Sequence, residues 1–305
     1  MAFGNVDNAY LALSGAVDAD IVRDERMARR TTYRIGGPTA LFVRAHTYPA
    51  LVRIVDELRR QGVPWVVLGK GSNILASDKG YGGCVLTLGR EFSRVMLGED
   101  GLVTVGAAAP LTKLVTDALG HGLSGIEYCV GVPGTVGGAL AMNAGSRREW
   151  IGRTVESIVT FRPGEGMHRY AGSDIEWGYR ATSIPSSEII LEATLRLTQS
   201  TKDAVSHDMN ERLAKRRTSQ PIGQPSCGSV FSNPPDRSVG ELLEGAGMKG
   251  YTVGGAKVSP IHANFIVNTG GATAEDVCTI MREMQRKVKE IYGIELRPEV
   301  KFLGF

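Results

Sequence analysis

Cysteine is scarce and scattered in this sequence. The four residues, Cys84, Cys129, Cys227 and Cys278, lie 45 or more positions apart. No Cys-x-x-Cys pair exists, so neither a zinc cluster nor a redox pair is supported. Reduced thiols in a cytoplasmic protein are the plain reading. The five histidines, His46, His121, His168, His207 and His262, lack metal-ligand spacing, so no metal is expected. No apolar run approaches the roughly 20 residues of a membrane span. The amino terminus lacks the basic start and apolar core of a signal peptide. Net charge is only +3. That mildly favours anionic ligands and is far too small for a nucleic-acid footprint. Neither nucleic acid nor membrane is therefore expected as a partner. Proline is sparse, at 13 residues, and there is no low-complexity tract.

What remains is an ordinary globular composition, 42% hydrophobic and 22% charged. The 305 residues suggest about two domains by length and can bury a sizeable core. Glycine is the outlier: 39 residues, nearly twice average usage. Without proline-rich or repetitive tracts, that excess belongs in tight loops.

Residues 1–20 show little pattern and read as a loose arm. Thr47 and Pro49 open a helix with Leu51, Ile54, Val55 and Leu58 on its apolar face, and Gly62 stops it. Residues 64–68 read as a buried strand, followed by the loop Gly69-Lys70-Gly71-Ser72-Asn73 and a strand over 84–88. Strands are predicted over 102–105, 155–161 and 189–197, and a helix over 111–119. A second glycine-rich stretch spans 131–138. Residues 203–217 look helical and end in Lys215, Arg216 and Arg217, suiting a helix carboxyl end. Thr273 and Asp276 form a capping-box signal. The helix behind it carries Val277, Ile280, Met281, Met284, Val288 and Ile291 on one face, and Gly293 ends it. Finally, Ile294, Leu296, Val300 and Phe302 alternate with charged residues as in a strand, with Pro298 at an edge or bend.

Two common nucleotide motifs fail. Six residues, not four, separate Gly62 from Gly69, and Gly71 follows Lys70, so there is no Walker A loop. The dinucleotide fingerprint would need glycine where Ile74 stands. Both glycine stretches still suit an anion, because successive backbone N–H groups can face it. Ser72 and Asn73 add side-chain donors. Tight turns needing positive φ explain the same glycines equally well.

Several motifs occur in a particular order: residues 31–37, Gly69–Asn73, Gly131–Gly138 with Asn143 and Gly145, Gly178-Tyr179-Arg180, Cys227–Phe231, and Pro298-Glu299-Val300. Together they resemble the UDP-N-acetylenolpyruvoylglucosamine reductases, over roughly residues 20–305. The resemblance implies an α+β protein. It has the two-subdomain FAD-binding fold of the p-cresol methylhydroxylase (vanillyl-alcohol oxidase) type, plus a carboxy-terminal α/β substrate domain. The implied division is an arm at 1–20, FAD-binding subdomains at 21–90 and 91–200, and a substrate domain at 201–305. The activity implied is NADPH-dependent reduction of an enolpyruvyl sugar nucleotide in peptidoglycan synthesis, in a monomer. The resemblance implies a non-covalent FAD, with which the absence of histidine from the first loop agrees. The length looks like the short form, which lacks a tyrosine-bearing insertion. Thr182 stands where the family usually has serine.

The resemblance also assigns residues. Arg180 would stabilise the enolate, Ser229 would donate the proton and Glu299 would share the stabilisation. FAD would be held by Gly69, Lys70, Gly71, Ser72, Asn73, Gly134, Thr135, Val136, Gly137, Gly138, Asn143, Gly145 and Arg217, the last meeting a phosphate of FAD or of substrate. Tyr179, Asn233 and Lys249 would contact substrate. Lys257, His262 and Asn264 lie in a similar stretch without an assigned role. Taken singly, Arg180 reads as a surface ion pair, Ser229 as a turn residue and Glu299 as a solvated edge carboxylate. The alternative activity is an FAD-linked oxidase of the same fold acting on an alcohol or lactone.

Overall fold

The computed structural model describes residues 2–146 and 148–305. The chain divides into two compact units, and it crosses between them repeatedly. One contains residues up to Arg23, Leu41–Lys70 and Gly83–Leu213; the other contains Asp24–Ala40, Gly71–Gly82 and Ala214–Phe305.

The first unit begins with helix α1, Ala2–Leu13. Val6, Ala9 and Leu13 are buried on one side of it. Their i, i+3, i+7 spacing is a short apolar stripe, which is why this segment packs instead of forming the expected loose arm. Met1 lies outside the described residues. Helix α2, Tyr48–Arg60, forms as its sequence predicts: the Thr47 hydroxyl accepts the Ala50 amide and Pro49 sits in the first turn. Leu51, Ile54, Val55 and Leu58 are fully buried. A four-stranded sheet runs Ala19–Arg26, Pro38–Ala45, Tyr81–Leu88, Trp65–Val67. Trp65–Val67 pairs in parallel with Cys84–Leu86. This strand was expected to be buried, yet Val67 is 44% exposed. It lies at the sheet edge, with one neighbouring strand.

The second sheet of this unit is antiparallel, in the order Gly166–Ala171, Val155–Arg162, Ile189–Arg196, Leu102–Gly106, Val95–Leu97. Ile189, Leu191, Ala193 and Leu195 alternate into the core, as a period of two requires. Helices α3, Leu111–Gly120, and α4, Val136–Ala141, join that core through Leu111, Leu114, Ala118, Val136 and Leu140. Helix α5, Lys202–Ser219, follows, with Arg216 and Arg217 in its last turn.

The other unit packs helices α6, Val239–Gly245, and α7, Ala274–Tyr292, around Tyr33, Ile35, Phe231, Val258 and Ile266. A three-stranded sheet runs Thr252–Val253, Ala256–Val258, Ile266–Asn268. The α7 capping box is reciprocal, and Gly293 is left-handed at its end. Ile291, expected on the apolar face, is 53% exposed, while Tyr292, one position on, packs against this core instead. The final strand is shorter than its alternation suggests. Only Lys301–Leu303 is regular, pairing in parallel with Ile74–Ala76. Leu296, Val300 and Leu303 are buried while Phe302 faces out. Pro298 bridges Phe231 between the hydrogen bonds of Arg297 and Glu299, where no N–H of its own is needed, and the phase shifts only after Val300.

Candidate functional site

The glycine loop leaves strand Trp65–Val67 at Gly69. A Cβ on Gly69 would lie 2.6 Å from the Thr135 hydroxyl, so in the first unit the two glycine stretches touch, and a side chain at 69 would force that hydroxyl to shift. Among the described residues, the amides of Gly69 and Lys70 donate to no protein acceptor. The second stretch is more committed. Val136 N–H donates to Ala109 O, Gly137 N–H to Ala107 O, and Gly138 N–H to the Thr135 hydroxyl. Gly134 and Thr135 keep their amides unclaimed among the described residues. Small loops with unclaimed N–H groups fit an anionic diphosphate such as that of FAD.

Arg180 is positioned by a hairpin of the same unit. Trp177–Gly178 pairs with Ala181–Thr182, making Tyr179 and Arg180 the two-residue turn. Arg180 has φ 55°, a left-handed conformation costing a side-chain residue on the order of 1 kcal/mol or more. Its guanidinium donates to Gly145 O at 2.8 Å and lies 5.1 Å from the Tyr179 ring centre. The buried Asn143 side chain donates to Gly178 O at 2.8 Å and accepts from Gly152 N–H at 3.1 Å. Asn143 and Gly145, expected as cofactor contacts, thus also brace the Arg180 turn. The Thr182 hydroxyl accepts the Ile184 amide at 3.4 Å.

Ser229 and Glu299 come together in the other unit, although they lie 70 positions apart in the chain. Gly228, at φ +79°, turns the chain into Ser229. Ser229 bridges to Phe265, and Phe231 to Pro298. The Glu299 amide donates to Val230 O at 2.8 Å, and Ser232 N–H donates to Arg297 O at 3.0 Å. Asn73 Nδ2 donates to Glu299 O at 3.1 Å, while Asn73 O accepts from Lys301 N–H at 3.0 Å. The first glycine loop therefore leads directly to the backbone carrying Glu299, a link that nothing in the spacing revealed. Ser229 and Glu299 are both half-buried.

Near them, Cys227 is sealed in the core, and burial pushes its thiol up to about 12. It is no nucleophile at neutral pH. Burial likewise raises the Tyr33 hydroxyl, beside Cys227. Lys249 pairs with Glu244 at 2.6 Å. His262 is held below its usual value by burial and by nearby Lys249. Asn233 Oδ1 accepts from Val239 N–H at 2.9 Å. Arg217 is exposed near the end of α5. Arg180 belongs to the first unit and Ser229, Glu299, Lys249, Asn233 and Arg217 to the second. Among the described residues no cluster of His, Cys, Asp or Glu could hold a metal ion, and no helix is long and apolar enough to cross a membrane.

Comparison with known proteins shows the family. A model described as an FAD binding domain matches residues 39–162, in keeping with the flavin fold expected. The carboxy-terminal domain of UDP-N-acetylenolpyruvoylglucosamine reductase matches residues 220–303. A reductase of that name from Heliobacterium modesticaldum is 42% identical over 289 residues, covering 93% of this chain and 90% of that protein. One from Bacillus pumilus is 36% identical over 303 residues, covering 98% and 99%. The crystal structure of the Thermus caldophilus reductase superposes with a TM-score of 0.81 at 34% identity, covering 93% of this chain and 98% of that one. Similarity of this extent along both chains makes this protein a member of the UDP-N-acetylenolpyruvoylglucosamine reductase family.

Proposed function

We propose that the protein reduces the enolpyruvyl group of UDP-N-acetylglucosamine enolpyruvate to give UDP-N-acetylmuramate, a step of peptidoglycan synthesis, acting in the cytoplasm as a monomer. The observation that carries this reading is the adjacency of Ser229 and Glu299, fixed by the 2.8 Å bond between Glu299 N–H and Val230 O. FAD is held through the Gly69–Asn73 loop and the Gly134–Gly138 stretch, where the unclaimed amides of Gly69, Lys70, Gly134 and Thr135 suit its diphosphate. Bound FAD supplies the hydride chemistry, taking a hydride from NADPH and delivering it to the enolpyruvyl methylene carbon.

Hydride addition turns the methylene into a methyl and leaves an electron pair on the carbon beside the carboxylate. That pair delocalises into the carboxylate as an enolate, which needs positive charge and then a proton. Arg180 offers a planar, permanently charged fork that can grip the carboxylate at two points. Its turn is braced before substrate arrives, through Gly145 O and Asn143. Ser229 gives its hydroxyl proton to the carbon; a weak acid suffices because the acceptor is strongly basic. Glu299 shares the stabilisation of the enolate. Tyr179, Lys249 and Asn233 contact the substrate. Asn233 has its carbonyl oxygen taken by Val239 N–H, so it offers its Nδ2 hydrogens.

The test is direct. The purified protein should show a flavin spectrum and oxidise NADPH only when the enolpyruvyl sugar nucleotide is present. Oxygen uptake with an alcohol or lactone, and no need for the sugar nucleotide, would instead identify an oxidase.

A further inference from the structure

We propose that Asn264 is a positioning residue for the proton-donating Ser229. This rests on the reductase reading above. Asn264 is 2% exposed, so its amide has no access to water and must be satisfied by protein. It spends both ends of that amide on one residue. Asn264 Nδ2 donates to Phe231 O at 2.8 Å, and Asn264 Oδ1 accepts from Phe231 N–H at 3.1 Å. Its backbone carbonyl accepts from Val230 N–H at 2.9 Å.

One side chain and one carbonyl therefore hold the two residues that follow Ser229. Val230 in turn accepts the Glu299 amide through its own carbonyl. Asn264 thus stands behind the backbone that sets both Ser229 and Glu299. The next residue, Phe265, bridges to Ser229 itself. Asn264 is in turn fixed by its own loop, its N–H donating to His262 Nδ1 at 3.2 Å. A core asparagine serving stability alone would need only to satisfy the Phe231 backbone. A positioning asparagine must also keep the Ser229 hydroxyl within reach of one carbon, where an error of about 1 Å can cost on the order of a hundredfold in rate.

The two roles separate by experiment on the FAD-loaded full chain. In Asn264→Ala, NADPH should still reduce the flavin at a rate within about twofold of the unsubstituted protein, while reoxidation by the enolpyruvyl nucleotide should slow about tenfold to a hundredfold. The solvent deuterium isotope effect on reoxidation should rise, since proton delivery becomes slower. In a Ser229→Ala background the same change should slow reoxidation less than about twofold, because the group being positioned is gone. Hydrogen exchange of the peptide spanning residues 227–232 should quicken independently of activity. Equal losses in both half-reactions, or a full further loss in the Ser229→Ala background, would reduce Asn264 to scaffolding and overturn the proposal. Should Asn264→Ala fail to fold, Asn264→Ser keeps a hydroxyl for Phe231 N–H and is read by the same comparisons. If the unsubstituted protein is not reoxidised by the enolpyruvyl nucleotide, the function itself is wrong, a failure visible before any variant is made.

Discussion

Glu299 and Val230 share a backbone hydrogen bond of 2.8 Å, and through it the segments carrying Ser229 and Glu299 in the second unit are tied together. Ser229 precedes Val230 by one residue, so any shift of the Ser229 segment is felt at Glu299. The bond is made by backbone, which makes the pairing insensitive to what the two side chains are. Replacing either side chain should therefore test chemistry and leave the local frame standing.

Ser229→Ala is expected to leave flavin reduction by NADPH within about twofold and to slow reoxidation by the enolpyruvyl substrate by a factor on the order of 10²–10⁴, the usual worth of general acid catalysis. Stopped-flow absorbance of the flavin reads both halves. Equal damage to the two halves would remove Ser229 from the proton-transfer step.

Arg180 sits at φ 55°, where glycine would be unstrained. Arg180→Gly gains about 1 kcal/mol by relieving that conformation and loses about as much with the bond to Gly145 O. The two effects nearly cancel, so Tm should move by only a few degrees while substrate-dependent turnover collapses. Arg180→Lys keeps the charge and loses the fork, so kcat/KM for the enolpyruvyl substrate should fall at least about tenfold. A variant with undiminished kcat/KM would rule out carboxylate recognition by this residue.

Gly69→Ala places a Cβ 2.6 Å from the Thr135 hydroxyl. It should weaken FAD retention about tenfold or more, read as flavin stoichiometry after gel filtration. Adding Thr135→Ala removes the clashing atom and should restore much of that retention. It also deletes the α4 cap, costing about 1 kcal/mol in stability. Lack of any rescue would show that the glycine serves something other than this close approach.

Asp276 is held below the ordinary aspartate value, chiefly by the Thr273 backbone N–H, outweighing a modest burial penalty. The Gly255 amide contributes as well. A lowered folded-state value means that the ionised carboxylate stabilises the fold. That stability is fully present above the unfolded value of about 3.9 and fades as pH drops through the lower folded one. Asp276→Asn should therefore lower stability at neutral pH, and the gap between the two proteins should close below about pH 4. Denaturant titrations at several pH values measure it; a gap unchanged in acid would exclude the charge as its source.

Local signals were readable where one short segment decides the outcome. The Thr273–Asp276 capping box, the Thr47–Pro49 helix start and the alternation of Ile189–Leu195 all formed as their patterns require, because their partners lie within a few residues or on one face. The α1 stripe went unread because three apolar positions over eight residues are too few to stand out. The last strand was overread: the period of two holds from Leu296 to Val300, after which Leu303 is buried and Phe302 exposed, and only Lys301–Leu303 is regular. The glycine loops showed where an anion could sit. Their spacing could not show that Val136, Gly137 and Gly138 already spend their amides inside the protein.

Residue types, capping and hydrophobic period suffice for helices α2, α3, α5 and α7 and for strands such as those over 84–88, 155–161 and 189–197, since each depends on neighbours along the chain. Which groups face each other was decided only on folding. Asn73 meets Glu299 across 226 positions, and Asn264 meets Phe231 across 33. Pairings at such separations follow from how buried backbone must satisfy its hydrogen bonds once the core has closed, and no local pattern encodes them.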